Sequence, residues 1–166
     1  ASDVYKRQVD NQEWSKAQIA TNFNGSGTFQ GQPSDLRTEA RLFYDEKNIY
    51  VGFIAYVDKE DLRYSITKRD NLDEKDDRVW INIDAFDDEA LTYGIGVSAG
   101  GVQIDGRATY GFDKSLDLIY DSKVSVHDDR YEAELIIPFS SLRYSLSPIQ
   151  TWSCLLYTSP SPRDGR

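Results

Sequence analysis

Four acidic side chains stand within six residues of one another near the middle of the chain, at Asp84, Asp87, Asp88 and Glu89. Oxygen-rich loops of this type bind calcium, because carboxylate oxygens are the ligands that this cation prefers. The spacing lacks the central glycine of an EF-hand, and a solvated acidic turn is the alternative. The sequence therefore offers a structural calcium ion, held by Asp84, Asp87 and Asp88, as its one candidate cofactor.

Aromatic and charged residues form a second candidate set. Trp80 shares a predicted strand face with Asn82, while Arg69, Asp70 and Tyr120 lie in two long loops. A flat aromatic ring can stack on the C–H face of a pyranose, and charged or amide groups can take the sugar hydroxyls. The alternative roles are structural, with Trp80 packed under a loop or against a region beyond this chain, and Arg69 paired with a nearby aspartate.

The chain lacks the residue sets of common nucleophilic and metal-dependent enzymes. His127 is the only histidine, so no zinc site can be assembled from histidines, and a solvent-facing turn explains it better than a catalytic base. The only cysteine is Cys154. A glycosidase needs two carboxylates at a fixed separation, and no pair stands out among so many acidic residues. We therefore expect a non-catalytic protein.

Both ends of the chain match translated sequencing adapter. The codons GCG TCA GAT GTG TAT AAG AGA CAG would spell residues 1–8, and that string resembles the end of a transposase-type library adapter. Residues 154–164 match an adapter read whose first half is the reverse complement of the same transposon end, and residues 165–166 fit index sequence. We therefore interpret residues 1–8 and 154–166 as adapter-derived and exclude them from fold reasoning. We expect both segments to be disordered or to take no part in the fold.

Residues 9–153 are long enough for one domain with its own core. Excluding the ends removes four basic and two acidic residues, so the formal net charge moves from −9 to −11. Such an acidic surface disfavours nucleic acids and anionic membranes, and it suits neutral ligands or cations. No stretch approaches the roughly 18 apolar residues of a membrane-spanning helix.

Alternating hydrophobic residues in short runs predict β-strands throughout the domain. In Arg78–Asp84 the side chains of Val79, Ile81 and Ile83 face one way and the intervening side chains face the other. Polar turns separate further strands at Glu39–Tyr44, Asn48–Val57, Leu91–Val97, Val102–Asp105, Lys123–His127 and Arg130–Ile137. Strands of this length and spacing predict an all-β fold, an antiparallel β-sandwich of jelly-roll type.

The order of landmarks along residues 9–153 resembles the family 9-like carbohydrate-binding domains of secreted bacterial proteins. The landmarks are Trp14 with Lys16-Ala17, the run from Thr38 to Phe53, Arg69-Asp70, Asp76 to Val79, Ile83 to Asp88, Tyr131 to Phe139, and Ser141 to Arg143. The resemblance implies a sugar-binding, non-catalytic module located outside the cytoplasm, in the periplasm, at the cell surface or secreted. It also implies a further C-terminal region of the same protein, such as an outer-membrane-type barrel, beyond Ser153. Its expected partners are an oligo- or polysaccharide and that missing region.

One departure from the family pattern leaves the function open. The second long loop of related domains carries a Trp-Asp pair and then another Trp, whereas this chain has Leu116-Asp117 and then Tyr120. Loss of two indoles favours the alternative of a structural or interaction sandwich without sugar affinity. A third possibility is an accessory domain of a glycoside hydrolase. If a sugar site exists, we expect it where Arg69, Asp70, Trp80 and Tyr120 converge.

Overall fold

The computed structural model describes residues 14–15, 17–23 and 37–159. These residues form antiparallel strands, with short 3₁₀ turns at Lys59–Asp61 and Phe139–Ser141. No helix among them is long and apolar enough to span a membrane. The strands are β1 (Gln18–Ala20), β2 (Thr38–Tyr44), β3 (Asn48–Tyr56), β4 (Arg78–Asp84), β5 (Thr92–Ser98), β6 (Gln103–Ala108), β7 (Phe112–Asp113), β8 (Asp121–Val126), β9 (Arg130–Pro138) and β10 (Ser153–Ser159).

The strands build two five-stranded sheets that pack face to face. The first sheet has the order β1-β2-β3-β9-β8, and the second has the order β10-β4-β5-β6-β7. The chain therefore leaves the first sheet after β3, builds most of the second, and returns through β8 and β9. The expected all-β fold, an antiparallel β-sandwich, is confirmed.

The main core lies between the sheets, where alternation along each strand places it. In β4 the side chains of Val79, Ile81 and Ile83 are 0% exposed, while Trp80 and Asn82 on the opposite face remain partly exposed. Burial of each aliphatic side chain contributes about 1.5–3 kcal/mol to stability. The first sheet meets them with buried side chains at Val51, Phe53, Ala133 and Leu135.

The β2–β3 hairpin follows from its polar connection. One carboxylate oxygen of Asp45 accepts the N–H groups of Lys47 at 2.7 Å and Asn48 at 2.8 Å, which satisfies donors that the turn would otherwise leave open. The other oxygen accepts the Tyr50 hydroxyl at 2.8 Å. The predicted hairpin is thus confirmed.

A second, smaller cluster lies on the outer face of the first sheet. Trp14 is buried and packs edge-on against Phe43, which stacks on Tyr50 with the ring centroids 4.6 Å apart. Ile54 completes the cluster. Trp14 therefore anchors the chain ahead of β1 onto β2 and β3, outside the main core.

Residues 153–159 take part in the fold, contrary to the expectation that the segment after Ser153 lies idle. They form β10, which pairs with the whole length of β4 as an edge strand. Leu156 faces the core and packs against it, whereas Leu155 and Tyr157 on the other face are 60% and 38% exposed. The physical reason is that the β4 edge offers unpaired backbone groups to any extended chain nearby. The adapter origin of the segment stays a prediction, and residues 1–8 and 160–166 lie outside the described residues.

Candidate functional site

Arg69 is held by hydrogen bonds at the edge of the sandwich, in the loop that precedes β4. Its Nε donates to Oδ1 of Asp105 at 2.7 Å, and its Nη1 donates to the side-chain oxygen of Gln103 at 2.8 Å. Its Nη2 donates to the carbonyl of Leu118 at 2.7 Å and also contacts Asp105. The guanidinium thus joins β6 to the segment that leads from β7 into β8.

Asp105 is the buried centre of this cluster. Its side chain is 0% exposed, because its place opposite Ile95 in the β5–β6 ladder turns it toward the interior. Oδ2 accepts the Leu118 N–H at 2.5 Å. Burial raises the pKa of the Asp105 carboxyl, against the bonds from Leu118 and Arg69 that lower it. The guanidinium therefore neutralises a carboxylate that has been removed from water.

Asp70 fastens the same loop to β6 through its backbone and its side chain. The Asp70 N–H donates to the Gln103 carbonyl at 3.1 Å, and Oδ1 accepts the Asp105 N–H at 2.8 Å. Its φ of 61° lies in the left-handed region, which aspartate tolerates better than most residues. Asp70 thus has a structural role here, because it joins the loop to β6.

Tyr120 lies inside the sandwich, and its hydroxyl bonds to backbone groups of β5 and β6. The hydroxyl donates to the Gly96 carbonyl at 2.7 Å and accepts the Ile104 N–H at 3.1 Å. Tyr120 is only 5% exposed, and its pKa is raised by burial and by the charge of Asp105. Arg69 lies over its ring at 5.2 Å from the centroid.

Three carboxylates converge around Arg69. Oxygens of Asp70, Asp105 and Asp117 lie within 4.8 Å of one another, and they form a group that a cation could use. Arg69 already brings a positive charge to all three, at 3.8 Å from Asp70 and 3.7 Å from Asp117. The role of Asp105 and Gln103 was missed in the sequence, where their only signal is a pair of polar residues alternating with Val102 and Ile104.

Trp80 lies on the other side of the second sheet, on its outer face. It pairs with Gly96 across the β4–β5 ladder, and a Cβ on Gly96 would stand 2.4 Å from the Trp80 Cβ. Its ring contacts Tyr157 edge-on with the centroids 6.0 Å apart, and the Arg78 guanidinium lies 5.9 Å from its centroid. Its indole N–H is shielded from solvent and has no hydrogen-bond partner in the described part of the chain.

Phe112 lies beside Trp80 on the same outer face. The two ring centroids are 6.0 Å apart and their planes differ by 27°. The phenyl ring rests over Gly94 and Gly106, which pair directly across β5 and β6. The outer face therefore carries an aromatic surface on a floor of bare backbone.

The expectation that four side chains wall one groove is corrected by this geometry. Arg69, Asp70 and Tyr120 do come together. However, their side chains bond to Asp105 and to backbone groups of β5 and β6, and Tyr120 is buried. Trp80 points away from them, because strand alternation separates its face of the sheet from that of Asp105. A ligand-binding role for these residues stays a prediction.

The acidic turn after β4 is organised by Asp84. Its Oδ1 accepts the N–H groups of Phe86 at 3.0 Å and Asp87 at 2.9 Å, and its Oδ2 accepts that of Glu89 at 2.7 Å. Burial opposes the charge, but these bonds hold the pKa of Asp84 below its ordinary value. Asp87 accepts the Ser153 hydroxyl, and Asp88 accepts the Ala90 N–H at 2.9 Å. The carboxylates thus serve the turn itself, and calcium at Asp84, Asp87 and Asp88 stays a prediction.

Comparison with known protein families identifies the family of this chain. The family model described as "Carbohydrate family 9 binding domain-like" matches residues 8–153. The chain belongs to this family. The resemblance noted in the sequence is thereby confirmed. A comparison with curated proteins finds no match.

Solved structures share the fold of this family 9-like domain at low sequence identity. A candidate carbohydrate-binding protein from Bacteroides uniformis has 11% identity and a TM-score of 0.67, with 88% of this chain and 72% of that chain covered. A family 9 carbohydrate-binding module from Caldicellulosiruptor kristjanssonii in complex with cellotriose has 17% identity and a TM-score of 0.58, with 87% and 67% covered. The same module in complex with glucose has 16% identity and a TM-score of 0.59, with 87% and 68% covered.

Proposed function

We propose that this domain is a non-catalytic carbohydrate-binding module whose ligand surface is the outer face of the second sheet around Trp80. The observation that carries the proposal is the family match over residues 8–153, joined to a partly exposed indole on the outer face of the second sheet. Two solved structures of the same fold hold cellotriose and glucose. A neutral gluco-oligosaccharide is therefore the ligand class to test first.

The chemistry around Trp80 suits such a ligand. The indole can stack on the C–H face of a pyranose, and its N–H lacks a partner within the described residues. Asn82 lies two residues further along the same strand face, and the Arg78 guanidinium borders the ring. These groups supply the donors and acceptors that sugar hydroxyls require.

We also propose that the domain belongs to a larger exported bacterial protein. The family resemblance supports a location outside the cytoplasm, in the periplasm, at the cell surface or secreted. It supports a further C-terminal region, either an outer-membrane-type barrel or a glycoside hydrolase to which the domain would be accessory. In either arrangement the domain would hold the protein near polysaccharide without cutting it.

A second candidate function is a structural or interaction sandwich without sugar affinity. Arg69, Asp70 and Tyr120 are engaged in internal hydrogen bonds, which supports a structural role for them. The family resemblance further implies that Leu116 stands where related domains carry an indole. These observations favour the structural alternative.

Calorimetric titration separates the two functions. We expect wild type to bind cellotriose or a longer cello- or xylo-oligosaccharide, and Trp80→Ala to bind about tenfold more weakly, since lost stacking and contact area of this kind are worth about 1.4 kcal/mol. Tyr44→Ala is the matched control, because Tyr44 is 75% exposed at the far end of a hairpin in the first sheet. Absence of binding across a broad glycan panel would support the structural alternative. Release of shortened sugars by the pure protein would overturn the non-catalytic assignment.

A further inference from the structure

Phe112 covers the part of the outer face that lies next to Trp80. A Cβ on Gly94 would stand 2.9 Å from Cε2 of Phe112, and a Cβ on Gly106 would stand 2.8 Å from its Cζ. A side chain at position 94 would push the ring away, and one at position 106 would also meet the Asp113 carbonyl oxygen at 2.6 Å and displace the backbone of β7. The two glycines therefore leave a shallow, ring-sized depression in the sheet, which the phenyl ring fills.

The segment that carries Phe112 is weakly attached. Strand β7 has only two residues, which pair with Arg107 and Ala108 at the end of β6. The Arg107–Asp113 ion pair spans 3.5 Å and is exposed, and such a pair contributes little to stability. Phe112 itself is 41% exposed. Movement of this segment would therefore break only the short pairing at the end of β6 and leave the pairing of β4, β5 and β6 intact.

The phenyl ring does not satisfy the polar groups beside it. The Trp80 N–H is shielded from solvent without a partner in the described residues. The Asn82 side-chain oxygen lies 3.2 Å from the Cβ position of Gly94, at the border of the depression. A hydrocarbon ring offers neither group a hydrogen bond, whereas a pyranose in the same place carries hydroxyls that can bond to both.

We propose that Phe112 is a displaceable cover, whose ring occupies in the free protein the place that one pyranose ring of a neutral oligosaccharide takes in the complex. This inference rests on the proposed function and names the position of the sugar at that site. The covered state competes with the ligand, so the apparent affinity falls in proportion to the uncovered fraction. Removal of the phenyl ring therefore strengthens binding, although it removes an aromatic side chain from the site.

Titration of Phe112→Ala with cellotriose tests the proposal. We expect affinity about threefold to tenfold above that of wild type, because the cover no longer competes. Tyr110→Ala is the matched control, since Tyr110 is fully exposed two residues earlier in the same loop, and its affinity should equal that of wild type. Phe112→Leu keeps an apolar side chain, so its affinity for cellotriose should lie between those of wild type and Phe112→Ala. This variant provides the test if Phe112→Ala does not fold.

Proton NMR of the glycines gives an independent readout. In free wild type the Phe112 ring should shift the Gly94 and Gly106 Hα signals by its ring current, and cellotriose should remove that shift. Equal or weaker binding by Phe112→Ala and Phe112→Leu, with wild type binding, would overturn the cover and leave the proposed function standing. No binding by wild type or by either variant would overturn both.

Discussion

Replacement of Arg69 by methionine should destabilise the fold by about 3 kcal/mol. The change keeps the aliphatic stem but removes the charge that faces Asp105, whose side chain is 0% exposed. Breaking a buried ion pair by removing one partner costs about 3–5 kcal/mol, because the other charge stays buried alone. We take the lower end of that range because the Arg69 side chain is 30% exposed, so water can replace part of the interaction that Asp105 loses.

Urea unfolding followed by tryptophan fluorescence measures this effect. The matched control is Arg107→Met, which removes an arginine from β6, the strand that carries Asp105. Its ion pair with Asp113 is exposed, so this change should leave the stability nearly unchanged. The double variant Arg69→Met with Asp105→Asn should recover part of the loss, because no buried charge is then left unpaired.

The loss should also depend on pH in a defined direction. The pKa of Asp105 is higher in the folded state than in the unfolded state. Between these two pKa values the folded state binds the proton more tightly, so the stability of the fold decreases as pH rises. Removal of Arg69 raises that pKa further. The destabilisation should therefore be larger at pH 7 than at pH 4. A cost equal to that of Arg107→Met at both pH values would refute the structural role assigned to Arg69.

Two further predictions concern the turn after β4 and the edge of β4 that β10 covers. Asp84→Ala should cost about 2 kcal/mol by urea unfolding, because three backbone N–H groups of the following turn lose their acceptor. Since the folded-state pKa of Asp84 is lowered, its contribution is present above the unfolded pKa of 3.8 and is lost as pH falls through the folded value, so wild type and variant should converge in acid. Removal of residues 154–166 should uncover the β4 edge and promote self-association, measured by light scattering during gel filtration. A truncated protein that stays monomeric with unchanged stability would show that β10 does not protect this edge.

The fold could be predicted from the sequence because its signals are local. Alternation in Arg78–Asp84 assigns Val79, Ile81 and Ile83 to the core, and the polar connection after Tyr44 marks a hairpin. These features depend on residues close together in the chain, where period and turn chemistry decide the structure.

The site could be predicted only in part because it depends on long-range contacts. Arg69 meets Asp105 36 residues further along the chain, and strand register rather than local pattern turns Asp105 inward. The length of two loops suggested that Tyr120 walls a groove, whereas its ring is drawn into the core. β10 was not predicted because its residues match translated adapter. Backbone pairing with β4 nevertheless depends little on the identity of the side chains.

The close approach of β4 to Gly96 fixes the residue type at that position. A Cβ at position 96 would stand 2.4 Å from the Trp80 Cβ and 2.6 Å from the Val79 carbonyl oxygen. One of these atoms belongs to the backbone and the other is present in every residue except glycine, so an evolving domain could not gain a methyl group at 96 without moving β4, whichever side chain stands at 80. Glycine should therefore persist at position 96 among homologues that keep this strand pairing, and a library for new specificity at position 80 should hold the Gly96 codon fixed.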